Sequence, residues 1–69
     1  MTFGQKIEQL RKERNMTLRK LAEKSGISYS LIASMINDER VPSKEAVLSL
    51  ARALLYDDTQ ELLQLAGYK

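Results

Sequence analysis

From Ser25 to Asn37 this chain carries no Lys, Arg, Asp or Glu, although 29% of its 69 residues are charged. The groups it offers instead are the hydroxyls of Ser28, Ser30 and Ser34, the amide of Asn37, the phenol of Tyr29 and the methyl of Ala33. These exchange hydrogen bonds and make apolar contact; none is a strong base or nucleophile by itself. On a helical wheel at about 100° per residue, Leu31, Ile32, Met35 and Ile36 gather on one arc. Tyr29, Ser30, Ala33, Ser34 and Asn37 fill the other. A helix face turned to bulk water is ordinarily stocked with Lys and Glu, so this one suits contact with something flat and polar.

Catalysis has little to work with. The chain has no His and no Cys, and the serines of 28–34 have no base near them in sequence. No metal-ligand cluster and no cofactor motif is present. Sixty-nine residues make one small domain, near the lower size limit for independent folding, so function belongs on its surface rather than in a deep pocket. No small-molecule ligand is expected. The apolar runs extend over only a few residues, so neither a membrane span nor a signal peptide is expected. The lack of cysteine favours a reducing, intracellular setting.

Charge is unevenly spread. Residues 1–24 carry Lys6, Arg11, Lys12, Arg14, Arg19, Lys20 and Lys24 against Glu8, Glu13 and Glu23. Residues 38–69 carry Arg40, Lys44, Arg52 and Lys69 against Asp38, Glu39, Glu45, Asp57, Asp58 and Glu61. A basic half and a mildly acidic half flank the uncharged stretch, which favours a phosphate backbone on the basic side.

The elements that must position these groups are all helical. Thr2 and Gln5 fit a capping box ahead of a helix over about 3–14, with Ile7 and Leu10 as its apolar pair and Asn15 as a left-handed stop. Thr17 caps a short second helix with Leu18, Leu21 and Ala22 inward, ending near Ser25-Gly26, where Gly26 turns the chain with φ > 0. Ser28 caps a third helix to about Asn37. After a loop closed by Pro42, Ser43 caps a fourth helix with Val47, Leu48, Leu50, Ala51 and Leu54 as its apolar positions. Asp58-Thr59-Gln60-Glu61 opens a fifth, carrying Leu62, Leu63, Leu65 and Ala66 and stopped by Gly67. The prediction is an all-α domain of five helices, with no strand and no repeat.

Two short helices joined by a glycine turn, the second with an unusual outer face, describe a helix-turn-helix. The run Met16-Thr17-Leu18-Arg19-Lys20-Leu21-Ala22-Glu23-Lys24-Ser25-Gly26-Ile27-Ser28 resembles the core of the Cro and lambda-repressor family of DNA-binding domains. Pro42-Ser43, the Leu-rich fourth helix and Leu62-Leu63-Gln64-Leu65-Ala66-Gly67 extend the resemblance over residues 1–69. It implies a sequence-specific double-stranded DNA-binding domain of a transcriptional regulator, in the main a repressor, whether whole or as the N-terminal part of a longer chain. It also implies a homodimer on a pseudo-palindromic operator, and a cytoplasmic setting at the nucleoid of a prokaryote or in a phage-infected cell.

Carried over residue by residue, the third helix would enter the major groove. Ser28, Tyr29, Ser30, Ala33, Ser34 and Asn37 would then meet base edges. Thr17, Arg19 and Lys20 at the start of the second helix, with Arg40 and Lys44 beyond the third and Arg11 and Arg14 ending the first, would meet phosphates. Leu55, Tyr56 and Leu63 would form the dimer surface. The chain departs from the family's pattern at Leu18, where Gln is frequent, and at Ile36, where a Glu often pairs with an Arg of the first helix. Asp38 stands where Gly is frequent, which leaves Asn37 as the expected left-handed residue and sets Asp38 and Glu39 near the expected DNA. The competing reading is a protein-interaction module that uses the same helices without specific DNA binding.

Overall fold

A computed structural model describes residues 1–68; Lys69, the last position of the expected domain, lies outside the described residues. Among the described residues five α-helices account for the regular structure: α1 (Phe3–Glu13), α2 (Leu18–Ser25), α3 (Tyr29–Ile36), α4 (Lys44–Ala53) and α5 (Thr59–Leu65). No strand occurs among the described residues. α1 packs on α3 and α5, α2 on α3 and α4, and α4 on α5.

Every helix begins on a residue whose side chain accepts a backbone N–H of the first turn, as the sequence leads one to expect. Thr2 Oγ1 accepts from Gln5 N at 3.1 Å while Gln5 Oε1 accepts from Thr2 N at 3.0 Å, completing the capping box. Thr17, Ser28, Ser43 and Asp58 accept likewise from Lys20, Leu31, Ala46 and Glu61.

The helix ends share a device that residue types disclose only in part. Beyond α1, α3, α4 and α5 one residue turns left-handed: Asn15 (φ 54°), Asp38 (59°), Leu55 (55°) and Gly67 (96°). In each case its N–H and the following N–H fold back onto the last turn. Asn15 N donates to Lys12 O and Met16 N to Arg11 O; Leu55 N donates to Arg52 O and Tyr56 N to Ala51 O. This paired closure satisfies carbonyls that would otherwise be orphaned. Asn37, expected to turn left-handed, instead keeps φ −83° as the C-cap just after α3, and Asp38 makes the turn.

Asp38 also points away from where the sequence placed it. Its Oδ1 accepts from Gly4 N at 3.1 Å and its Oδ2 from Thr2 Oγ1 at 2.8 Å. The carboxylate therefore sits on the N-terminal end of α1, against free N–H groups and the positive end of the helix dipole. It ties the end of α3 to the start of α1 and is committed there rather than turned toward a ligand.

The core is aliphatic apart from Phe3. Ile7, Leu10, Leu21, Ile32, Met35, Val47, Leu50, Leu54 and Leu62 are all buried. Leu48, grouped with the apolar positions of α4, stands 41% exposed and contributes little to that core. Gly4, buried in the first turn of α1, is where two backbones meet: a Cβ there would lie 2.2 Å from Ile36 O.

Candidate nucleic-acid interface

α2 and α3 meet at Gly26, whose φ of 74° makes the turn and whose N–H donates to Ala22 O at 2.9 Å. Leu21 of α2 and Ile32 and Met35 of α3 are buried, so the pair is held by the core and not by its outer face. Leu31 and Ile36 are partly buried against the same core. The arc they leave outward is the uncharged one. Ser28, Tyr29, Ser30 and Asn37 are exposed, with Tyr29 at 51%, and Ala33 and Ser34 are half-buried beside them. The six residues thus share one side and the two ends of an eight-residue helix. Ser28 Oγ accepts from Leu31 N at 3.3 Å. The cap uses an acceptor lone pair and leaves the hydroxyl proton free to donate.

Around this face the expected cations divide into two groups. Thr17, Arg19 and Lys20 stand exposed at the N-terminal end of α2, whose first N–H groups have no intrahelical acceptor and favour an anion. Arg40 and Lys44 are exposed on the loop beyond α3 and at its junction with α4. That junction is clamped: Tyr68 Oη donates to Pro42 O at 2.7 Å, and Lys44 Nζ lies 5.6 Å from the centroid of the Tyr68 ring. Sequence reasoning missed Tyr68, because its partner is 26 residues away.

Arg11 and Arg14 are not brought to that surface. Arg11 donates to Met16 O at 2.5 Å and pairs with Glu8, one turn back on α1. Glu8 thus supplies the carboxylate that Ile36 does not, while the buried Nε of Arg11 has no hydrogen-bond partner among the described residues. Arg14 donates to Leu54 O and, at 3.4 Å, to Leu10 O. Both guanidinium groups close carbonyls of the fold itself, Met16 after α1 and Leu54 at the end of α4.

The expected dimer residues also separate. Leu55 is 84% exposed, held outward by its left-handed turn. Leu63 is half-buried and packed against the core. Tyr56 is drawn inward: its hydroxyl donates to Glu61, and Lys6 and Arg14 lie 5.2 and 5.9 Å from its ring centroid. Lys6 Nζ is 3.3 Å from the same Glu61 carboxylate.

The Tyr56 hydrogen bond, aided by Lys6, holds the Glu61 carboxyl below the usual carboxylate range, and the same bond to Glu61 raises the Tyr56 phenol. The lowered carboxyl stabilises the fold above its unfolded pKa and loses that contribution as pH falls through the folded one. The raised phenol does so below its unfolded pKa and loses it as pH rises through the folded one. The cluster therefore supports the fold from roughly pH 5 to pH 9. Tyr56→Phe is expected to flatten the acid side of the stability–pH curve, measured by urea unfolding between pH 3 and pH 7; an unchanged acid slope would remove this cluster from the account.

Residues 7–57 match the family described as Helix-turn-helix. The immunity repressor protein of Bacillus phage phi105 is 43% identical over 54 residues, which are 78% of this chain and 38% of that protein. The uncharacterized HTH-type transcriptional regulator RghRB of Bacillus subtilis is 35% identical over 66 residues, covering 96% of this chain and 48% of the relative. The HTH-type transcriptional repressor RghR of the same organism is 37% identical over 68 residues, covering 97% and 50%. The chain thus spans half or less of the length of these curated relatives.

Proposed function

Because this chain belongs to the helix-turn-helix family, we propose that it is the DNA-binding domain of a transcriptional repressor, with α3 lying in the major groove. The observation that carries this reading is the uncharged outer face of α3, flanked by exposed cations on two sides. Ser28, Ser30, Ser34 and Asn37 present donors and acceptors to base edges, Ala33 a methyl for thymine, and Tyr29 a ring for sugar or methyl contact. Thr17 with the start of α2, Arg19, Lys20, Arg40 and Lys44 hold phosphates and fix the register. Arg11 and Arg14 serve that placement indirectly, by fixing the ends of the helices that carry it.

The protein acts by occupancy, with no chemical step, and the names of its relatives, an immunity repressor and transcriptional regulators, support this. The described residues extend only 28 × 24 × 20 Å. One copy therefore covers less than the roughly 34 Å of a full DNA turn, and two copies on a pseudo-palindrome give a site of useful specificity. Leu55 anchors that homodimer. The cell cytoplasm is the matching location; no helix among the described residues is long and apolar enough to cross a membrane.

A titration at two salt concentrations separates this reading from a protein-interaction module. With six or more phosphate contacts per dimer, affinity is expected to fall about a thousandfold between 50 and 200 mM salt. An absence of DNA binding at 50 mM salt, or binding insensitive to salt, favours the module.

A further inference from the structure

Leu55 is the most exposed of the large hydrophobic residues, and what surrounds it is ordered by charge. A shallow concavity between α2 and α4 runs up to Leu55 and is lined by Lys24 and Arg52 with Ser25 and Ser49, and by no carboxylate. A second concavity on the same leucine is lined by Lys20 and Lys24 and again holds no acid. Among the described residues, neither Lys24 nor Arg52 takes part in an ion pair. The acids lie elsewhere. Asp57 and Asp58 are exposed, follow Leu55 by two and three residues, and line neither concavity. Chain reach keeps them within about 11 Å of it along the backbone.

Leu55 is thus an exposed apolar residue bordered by a cationic, acid-free surface and followed closely in the chain by two exposed acids. In a two-fold contact the same patch meets itself, so residue i of one copy faces j of the other and j faces i. A second copy is therefore the occupant whose charges match. We propose that the dimer contact centred on Leu55 is electrostatically self-complementary, Lys24 and Arg52 of each copy facing Asp57 and Asp58 of the other. This rests on the homodimer reading above and adds what that reading lacks: a charge rule for which chains pair. It follows that salt weakens dimerisation, and that reversing one side alone turns attraction into repulsion twice per dimer.

The test is sedimentation equilibrium on the 69-residue protein and three variants, each checked for retained helix by circular dichroism. Leu55→Asn removes the apolar anchor while suiting the left-handed backbone. Lys24→Glu with Arg52→Glu reverses the cationic side. Asp57→Lys with Asp58→Asn reverses the acidic side and keeps a capping side chain at the start of α5. Each variant alone is expected to raise the dimer dissociation constant roughly tenfold or more. Mixing the two charge variants is expected to restore dimers, now exclusively mixed ones, because both pairings are then opposite in sign. A wild type that dimerises, with charge variants that self-associate equally well or form no mixed dimer, overturns the charge rule alone. A wild type that stays monomeric at concentrations that saturate its DNA site overturns the dimer reading and the rule with it.

Discussion

Gly4→Ala is expected to cost about 3 kcal/mol or more and to lower the melting temperature by about 12 °C or more. Taken alone, α1 argues for the opposite. Alanine is favoured over glycine within a helix by about 1 kcal/mol, so on a free surface the exchange would stabilise. Here the added Cβ would lie 2.2 Å from Ile36 O, 2.7 Å from Ile36 C and 2.7 Å from Met35 O. All three are backbone atoms at the end of α3, and no rotamer change moves them aside. Either α1 retreats from α3, breaking the Asp38 contacts to Gly4 N and Thr2 Oγ1, or the last turn of α3 deforms. A domain of this size holds only about 3–10 kcal/mol in total, so the variant should sit near its unfolding threshold at 37 °C. Thermal unfolding followed by circular dichroism measures it. A melting temperature at or above that of the wild type would mean that α1 and α3 do not approach as described.

Ser30→Glu is expected to separate folding from function in the opposite way. Ser30 is exposed in the first turn of α3, which contains no acidic residue. A carboxylate there interacts favourably with the helix dipole, so stability should hold or rise by about 0.3–1 kcal/mol. The same charge would stand in the middle of the face assigned to DNA, facing phosphates in a desolvated groove. Affinity should fall about a hundredfold, since like charges at an interface cost several kcal/mol. Fluorescence anisotropy against an operator fragment, paired with a melting curve, reads both. A variant that melts higher and binds as tightly as wild type would place the DNA on another surface.

Most of the fold is legible in the sequence because helix starts announce themselves by residue type. Thr2, Thr17, Ser28, Ser43 and Asp58 each have the short polar side chain a cap requires, and each caps. Helix ends are less legible. Asn15, Gly26 and Gly67 are types that tolerate left-handed backbone, but Leu55 is not, and it turns left-handed because the two N–H bonds closing α4 demand it. That cost, on the order of 1 kcal/mol, is also what leaves its side chain outside the core. Asp38 misled for a related reason. Its carboxylate is a charge in the sequence and a helix cap in space, and the α1 end it caps is more than thirty positions away.

The uncharged face was the clearest functional signal, and it is outward in the structure with its apolar half buried beneath it. The cations were less legible, since a sequence does not say whether a guanidinium meets solvent or a carbonyl. Arg19 and Arg40 are exposed; Arg11 and Arg14 spend their donors on Met16, Leu10 and Leu54. Gly4 and Tyr68 gave no local sign at all, because each matters through a partner far along the chain.

The central claim, that the outer face of α3 reads base edges, is tested most directly by selecting bound sequences from a random DNA pool. Wild type, Ser30→Ala and Ser34→Ala would be compared at one salt concentration. Loss of a base contact costs about 1–3 kcal/mol at the base pair concerned and leaves the rest of the site intact. The account predicts that each variant loses preference at its own one or two positions of an otherwise unchanged half-site. Identical preferences in all three proteins, with at most a uniform loss of affinity, would contradict it.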